Sequence, residues 1–506
     1  MQKPIRYFSS NQAIFGTPDL EKRISDESLH NVGLAQAIID GQPADGGLYM
    51  PTRIPKISAQ VINQMKNMSY GQIFVETMKG FFSGVLSKKT LDKIAKEACF
   101  FEPLIEEISK KDYIARMDEG PTAAFKDYAA QVLFRVVQAL MKGEPKTEIE
   151  YRQKLKEIDL LTYLVATSGD TGGAMGTAIH KIPKMWMTIF HSAYISEHIS
   201  DMQAKQMDNL GYNISVIRTL TDFDGNASLV NKLQNDPDLK YMHPSPANST
   251  NWGRLIPQIT YYCHIYSRVA TKKGEQIYVS VPSGNFGNMT AGIIAMKMGV
   301  PIKLIIGVNE NDVFERFHRT GIYAPAEASH PSPSNAMVVN WPSNVRRVFQ
   351  IYRGQLIEGK DPSNTNKKVI SSLKLPDLKS LREDMAVYRI SDEETDEIIK
   401  EFWGENHRIC DLHSTLEAHG AVGWGASKRF RKDTGYNGKI VTMETAHPSK
   451  FADHLLKLGI KPTMPRSLMS LANQPHGKYY ELPNDYEKVK EKLIELYDLE
   501  LAKYKQ

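Results

Sequence analysis

The sequence predicts an α/β protein built on mostly parallel sheets. Three observations carry that expectation. Short apolar runs alternate with helical patterns along the chain. Two of those runs end in glycine-rich turns that open a helix, at residues 168–173 and 283–288. No repeat at a fixed period of about 20–50 residues is visible, which disfavours solenoids and propellers.

Taken in order, the first 100 residues mix short helical patterns with turns. Asp45-Gly46-Gly47 is one such turn, and it leads into an extended piece, Leu48 to Pro51. Residues 72–98 read as helical, with apolar positions near helical spacing. Residues 162–166 read as a strand. The turn Ser168-Gly169-Asp170-Thr171-Gly172-Gly173 and a helix over 174–180 follow it. Residues 185–190 and 214–217 are further strands. Residues 276–281 form another, entering Ser283-Gly284-Asn285-Phe286-Gly287-Asn288 and a helix through Met298. Residues 303–308 and 439–443 are again strand-like. Residues 319–345, rich in Pro, Ser and Asn, read as a long surface or active-site loop. The tail, 485–504, reads as a solvated amphipathic helix.

Composition narrows the function classes. The chain has 506 residues, enough for two to four domains at about 150 each. Hydrophobic residues make up 41% and charged residues 24%, the balance of an ordinary soluble globular protein. The net charge of +5 is spread out, which argues against nucleic acid as the main partner. Cys99, Cys263 and Cys410 lie far apart and form no C-x-x-C, so small buried thiols are expected rather than disulfides or a metal site. No stretch approaches 18 consecutive apolar residues, and Met1 to Ser10 holds no apolar signal core. The expectation is a cytoplasmic protein without a membrane partner.

Four segments are candidates for chemistry. In Gly120-Pro121-Thr122-Ala123-Ala124-Phe125-Lys126-Asp127 a rigid turn precedes the first turn of a helix. Lys126 then sits near the positive end of the helix dipole, which lowers an amine pKa, and a partly neutral lysine is a Schiff-base nucleophile and proton shuttle. Taken alone, Lys126 reads as a solvated surface lysine. The loop from Ser168 to Gly173 offers backbone N–H groups to an anion, with Ser168 and Thr171 adding hydroxyls. A plain tight turn is the competing reading. The loop from Ser283 to Asn288 has the same physics. It lacks the Gly-Lys-Ser/Thr of a Walker loop and is not G-x-G-x-x-G, so a small phosphate on the amides of Gly284, Asn285, Phe286, Gly287 and Asn288 fits it better. Last, Thr445-Ala446-His447-Pro448 follows a strand, where parallel sheets collect their ligands. Alone, Thr445 reads as a cap and His447 as a packed loop histidine. His-Glu-x-x-His, G-x-S-x-G and the kinase set are absent, and Glu197-His198 lacks the partners of a metalloprotease. Two anion loops and one candidate amine lysine together point to pyridoxal phosphate.

The ordered motifs resemble the threonine synthase family of fold-type II pyridoxal-phosphate enzymes, over most of the chain. They are Asp45-Gly46-Gly47-Leu48-Tyr49-Met50-Pro51, Gly120-Pro121-Thr122 with Phe125-Lys126-Asp127, and Ala166-Thr167-Ser168-Gly169-Asp170-Thr171-Gly172. Asn248-Ser249, Asn251-Trp252, Arg254, Pro282-Ser283-Gly284-Asn285-Phe286-Gly287-Asn288, Ser334-Asn335-Ala336-Met337, His419-Gly420-Ala421-Val422-Gly423 and Glu444-Thr445-Ala446-His447-Pro448 follow in the family's order. The resemblance implies two open α/β lobes of the tryptophan synthase β-like fold after an N-terminal region. The expected divisions are 1–100, a smaller lobe 101–250, a larger lobe 251–480 and a C-terminal helix 481–506.

The resemblance also implies roles. Lys126 is the Schiff-base lysine, with Phe125 beside it. Gly284, Asn285, Phe286, Gly287 and Asn288 bind the cofactor phosphate, and Thr445 faces the pyridine nitrogen. Thr122, Ser168, Asp170, Thr171, Ser249, Asn251 and Arg254 lie at the substrate, with Arg254 the fork-shaped anion binder. The implied reaction converts O-phosphohomoserine and water into threonine and phosphate, in a monomer or homodimer. A phospho-lyase releasing phosphate and a 2-oxo acid is the alternative. The chain departs from the family at Asp118 and Glu119, where many members carry a histidine, and at Val338, where many carry an acidic residue. Those departures bear on substrate choice.

Overall fold

Strand register divides the α/β part of the chain between two sheets. The computed structural model describes residues 3–143, 148–195, 197, 199–326, 328–406 and 415–505. His198 and Cys410 lie outside the described residues; Cys99 and Cys263 carry no disulfide. The larger sheet has the order Met385–Arg389, Ile302–Val308, Ile277–Pro282, Ile440–Glu444, Asp112–Arg116, Leu104–Glu107. Its neighbours are parallel except for the last pair. The smaller sheet is parallel throughout, in the order Tyr480–Leu482, Ile214–Thr219, Met185–Ser192, Leu161–Ala166, Pro244–Pro246.

Central parallel strands are covered on both faces and therefore read as continuous apolar runs rather than alternating ones. Met185–Ser192 is buried at every position, and so is Ile440–Glu444. This is why the short apolar runs in the sequence locate these strands to within two residues at either end. The helix expected over 174–180 begins earlier, at Asp170, because Gly169 supplies a φ of +138° that turns the chain directly into it.

Four expectations need correction. The 72–98 pattern is two helices, Tyr70–Met78 and Lys88–Ala98. Gly84, at φ +77°, lies in the connection between them, and a Ser87 cap starts the second helix. The tail helix Tyr486–Lys505 is not merely solvated. Val489, Leu493, Leu496 and Tyr497 are buried on the smaller sheet, where Tyr497 meets Trp186 edge-on at 5.9 Å. The division at 101–250 also does not follow the sheets, since Leu104–Glu107 and Asp112–Arg116 belong to the larger one. Strand Tyr480–Leu482, at the end of the expected 251–480 lobe, pairs instead with the edge of the smaller sheet. No helix among the described residues is long and apolar enough to cross a membrane.

The N-terminal region is locked to the lobes around Trp252. This indole is fully buried, donates to the Tyr7 hydroxyl at 3.2 Å, and packs edge-on against Tyr7 and Phe81. Thr77 and Thr260 share a further buried hydroxyl contact at 3.2 Å. Trp252→Ala should therefore cost about 3–5 kcal/mol, read as a lowered urea midpoint. A loss below about 1 kcal/mol would mean the N-terminal region is not anchored there.

Candidate active site

The site forms where the C-terminal ends of adjacent parallel strands meet the turn before helix Lys126–Met141. Strand Ile440–Glu444 delivers Thr445, whose carbonyl accepts from the Phe125 N–H at 2.9 Å. Ala124 bridges Ala446, and the His447 N–H donates to the Ala123 carbonyl at 3.0 Å. The lysine turn is thus fastened by backbone bonds to the strand end. Lys126 is the first residue of its helix, at the positive end of the dipole.

Lys126 Nζ lies 3.5 Å from one oxygen of Asp170, which opens helix Asp170–Ile179 in the smaller lobe. Lys450 Nζ, from the turn Pro448–Phe451, holds the other oxygen at 2.6 Å. Gln203 Nε2 donates to that oxygen as well, at 2.8 Å. Burial is the main cause that lowers the Lys126 pKa; Asp170 opposes it, and the charges of Lys450 and Arg254 reinforce it. Burial alone would raise the Asp170 carboxyl, but Lys450 and Lys126 hold it well below the usual carboxylate range. An amine whose pKa burial lowers, beside a carboxylate that two cations keep ionised, is the arrangement a nucleophilic lysine needs.

Two sets of backbone donors stand at the C-terminal ends of parallel strands, one in each sheet. The N–H groups of Gly284, Asn285, Phe286, Gly287 and Asn288 donate to no acceptor among the described residues. They precede and open helix Gly287–Met298, so they form an anion cradle. Phe286 sits at φ +58° and turns its ring onto Phe314, leaving only its backbone to the cradle. Asn285 is pinned by Ser343 and Asn344: its side-chain oxygen accepts from the Ser343 hydroxyl at 3.1 Å, and its carbonyl from the Asn344 N–H at 3.2 Å. The Asn288 side chain is held by the Tyr261 and Tyr262 hydroxyls, each at 2.7 Å. The second set is the N–H groups of Ser168, Asp170 and Thr171, which also find no acceptor among the described residues. Thr167 Oγ1 braces that loop by accepting from Gly169 and Gly172, both at 3.0 Å. The hydroxyls of Ser168, Thr171 and Thr445 make no hydrogen bond among the described residues.

Arg254 is buried without a carboxylate partner among the described residues. Its Nη1 donates to the Ala247 carbonyl at 3.0 Å, and its Nε has no partner. Burial lowers its pKa to about 10, so it stays charged at neutral pH. A buried, uncompensated guanidinium is unfavourable unless an anion joins it. Ser249 lies against the Gly284 to Asn288 cradle: its carbonyl accepts from Asn344 Nδ2 at 3.1 Å, and its Cβ is 3.7 Å from where a Cβ on Gly287 would stand.

Two expected substrate residues have structural duties instead. The Thr122 hydroxyl and N–H both donate to Asp127, at 2.7 and 2.8 Å, and burial raises that carboxyl to about 6. The Asn251 side chain caps Gly253 at 2.8 Å and donates to the Ile38 and Pro246 carbonyls, both at 2.9 Å. His447 accepts from the Ser449 N–H at 3.1 Å as a local cap. The departure at Asp118 is a buried carboxyl with neither oxygen partnered, pushed up to about 7 by burial.

Sequence reasoning missed Lys450, Gln203 and Gln206. Gln206 Nε2 and Lys450 Nζ both donate to the Thr122 carbonyl, at 3.1 and 2.9 Å. The only sequence signal for Lys450 is its place five residues after Thr445, across Pro448. It also missed Glu417, and it gave His419 only as part of a motif; together they brace the 335–337 turn. His419 Nδ1 bonds Glu417 at 2.6 Å, and its Nε2 accepts from the Ala336 N–H at 3.1 Å.

Three family profiles match the chain. "Threonine synthase N terminus" covers residues 25–99, "Pyridoxal-phosphate dependent enzyme" covers 103–445, and "Threonine synthase, C-terminal" covers 420–493. The chain belongs to the threonine synthase family. Among curated members, the threonine synthase of Haemophilus influenzae is 30% identical over 468 residues, which is 92% of this chain and 97% of that one. The threonine synthase of Saccharomyces cerevisiae is 30% identical over 509 residues, 94% and 95% of the two chains. Among solved structures, Escherichia coli threonine synthase superposes with a TM-score of 0.76 at 25% identity, covering 97% of this chain and 99% of that one. A pyridoxal-phosphate-bound threonine synthase from Brucella melitensis gives a TM-score of 0.80 at 24% identity, with 97% and 99% covered, and shares the fold.

The cofactor of this threonine synthase family member is pyridoxal phosphate. The residues fit it: an amine with a lowered pKa, a cradle of five N–H groups for a phosphate, and the Thr445 hydroxyl beside the lysine turn. At Gly284 the cradle admits no extra atom. A Cβ on Gly284 would lie 2.4 Å from the Ala336 carbonyl oxygen and 2.8 Å from Met337 Cα, both backbone. Gly284→Ala should weaken pyridoxal-phosphate retention at least about tenfold, measured by absorbance after dialysis. Unchanged retention would show that the cradle does not hold the phosphate.

Proposed function

We propose that this enzyme converts O-phosphohomoserine and water into L-threonine and phosphate, with Lys126 as its catalytic lysine. The observation that supports the reading is a lysine whose pKa burial lowers, 3.5 Å from Asp170, in a chain with two separate sets of N–H donors that find no acceptor among the described residues. One set suits the cofactor phosphate and the other a substrate carboxylate. Pyridoxal phosphate, when bound, supplies the electron sink for carbanions at the substrate's Cα and Cβ.

The chain's own residues do the rest. The Gly284 to Asn288 amides and the dipole of helix Gly287–Met298 hold the cofactor phosphate. Thr445 offers a neutral hydroxyl to the pyridine nitrogen, which leaves that nitrogen less protonated than a carboxylate partner would. The N–H groups of Ser168, Asp170 and Thr171 receive the substrate carboxylate at a helix start. Arg254 and Ser249 receive the substrate phosphate, and the anion compensates the buried charge of Arg254. Lys126 takes and returns the Cα proton, takes one proton from Cβ and delivers one to Cγ. The Cγ–O bond breaks and phosphate departs; water then adds its hydroxyl at Cβ, and Cγ ends as a methyl group. Atoms balance with no further reactant.

The test mixes the cofactor-loaded protein with O-phosphohomoserine and quantifies threonine, 2-oxobutyrate and phosphate. Threonine equal to phosphate is expected. Phosphate with 2-oxobutyrate in its place would make the enzyme a phospho-lyase. Lys126→Ala should abolish the borohydride-reducible chromophore and lower turnover by at least about a thousandfold. A chromophore that survives the substitution would move the cofactor linkage to another lysine.

A further inference from the structure

Lys450 is a second lysine in the centre, and the reaction as derived leaves it without a role. Its side chain is completely removed from solvent. A buried ammonium is unfavourable unless paired, and its two partners are the carboxylate that also meets Lys126 and a carbonyl of the turn that precedes Lys126. It holds Asp170 Oδ1 at 2.6 Å and donates to the Thr122 carbonyl at 2.9 Å. Lys126 reaches the same carboxylate more loosely, at 3.5 Å.

We propose that Lys450 is a positioning residue: its ammonium clamps Asp170 from across the cleft, so that Lys126 presents a neutral amine to its carbonyl partner. Three cations and one close carboxylate meet here. Facing Lys126 are Asp170 at the start of helix Asp170–Ile179, Lys450 on the turn Pro448–Phe451 and Arg254 on the helix Trp252–Leu255. Asp127, next to Lys126 on its own helix, is tied to Thr122. One carboxylate compensates one cation well. Lys450 holds it at the shorter distance, and Gln203 fixes the shared oxygen from a third element at 2.8 Å. The cation left undercompensated is Lys126, and its proton is the one released.

The clamp comes from a particular part of the chain. Lys450 lies beyond the 103–445 stretch matched to the general pyridoxal-phosphate family and within the 420–493 stretch matched to the threonine synthase C-terminal profile. It also joins the two lobes, because Asp170 follows a strand of the smaller sheet and Lys450 follows a strand of the larger one. The inference rests on Lys126 being the cofactor lysine.

The experiment uses the full-length chain, stripped of cofactor and re-exposed to pyridoxal phosphate across a pH series. Borohydride traps the product, and mass spectrometry quantifies the label on the Lys126 peptide. The trapping rate rises with pH as the amine loses its proton, so the midpoint reports that proton. Lys450→Gln removes a neighbouring cation and leaves Asp170 to Lys126 alone. Its midpoint should move to higher pH by about one unit. Lys450→Arg, which keeps the charge, should restore the midpoint of the unaltered chain. A Lys450→Gln midpoint that stays in place or moves to lower pH overturns the proposal. If Lys450→Gln does not fold, the double variant Lys450→Gln with Asp170→Asn leaves no orphaned charge. Its midpoint should lie at higher pH than that of Asp170→Asn alone, and coincidence of the two overturns the proposal. Label found on a lysine other than Lys126 would instead overturn the catalytic-lysine assignment, and this inference with it.

Discussion

Everything at the centre is arranged around one buried carboxylate shared by two amines. Asp170 cannot leave its position without stranding Lys450 in the interior, and a low-dielectric surrounding makes a stranded charge costly. That condition fixes the start of helix Asp170–Ile179 against the turn Pro448–Phe451. It therefore fixes how the smaller sheet faces the larger one. The backbone bonds between residues 123–125 and 445–447 do the same for the lysine turn, using peptide groups instead of charges.

Both anion cradles apply one rule in two places. A parallel strand ends, one residue of positive φ (Gly169 in the first, Phe286 in the second) turns the chain sharply, and a helix begins before its first N–H groups have found acceptors. The sheets provide the repeat: Leu161–Ala166 leads to one cradle and Ile277–Pro282 to the other. The sites differ in what closes over them. Gln203 and the Thr167 hydroxyl brace the first loop, whereas Ser343, Asn344 and the 335–337 turn press on the second.

The parts legible in the sequence are those whose cause is local. Continuous apolar runs marked the buried parallel strands, and the glycine-rich turns marked both cradles, because each reflects the chemistry of its own few residues. The parts that were not legible depend on distant partners. Thr122 and Asn251 are polar residues in promising motifs, yet Asp127 and the Ile38 carbonyl occupy them. Lys450 carried no local mark, since a lysine is a surface residue until Asp170, 280 positions earlier, comes into contact with it. The 72–98 pattern concealed a break because periodicity persists through a short connection that glycine makes possible.

The placement of the last strand has a consequence for how the protein is made. Four strands of the smaller sheet lie between residues 161 and 246, but the fifth, Tyr480–Leu482, and the helix Tyr486–Lys505 that covers Trp186 come only after the whole of the larger sheet has been made. A nascent chain emerging from the ribosome must build the larger sheet while the edge at Ile214–Thr219 still shows unpaired peptide groups and bare apolar surface. Emergence of residues 480–505 is then the event that seals that lobe, and a chain lacking them leaves this strand edge and apolar surface bare even though every residue of both cradles has been synthesised.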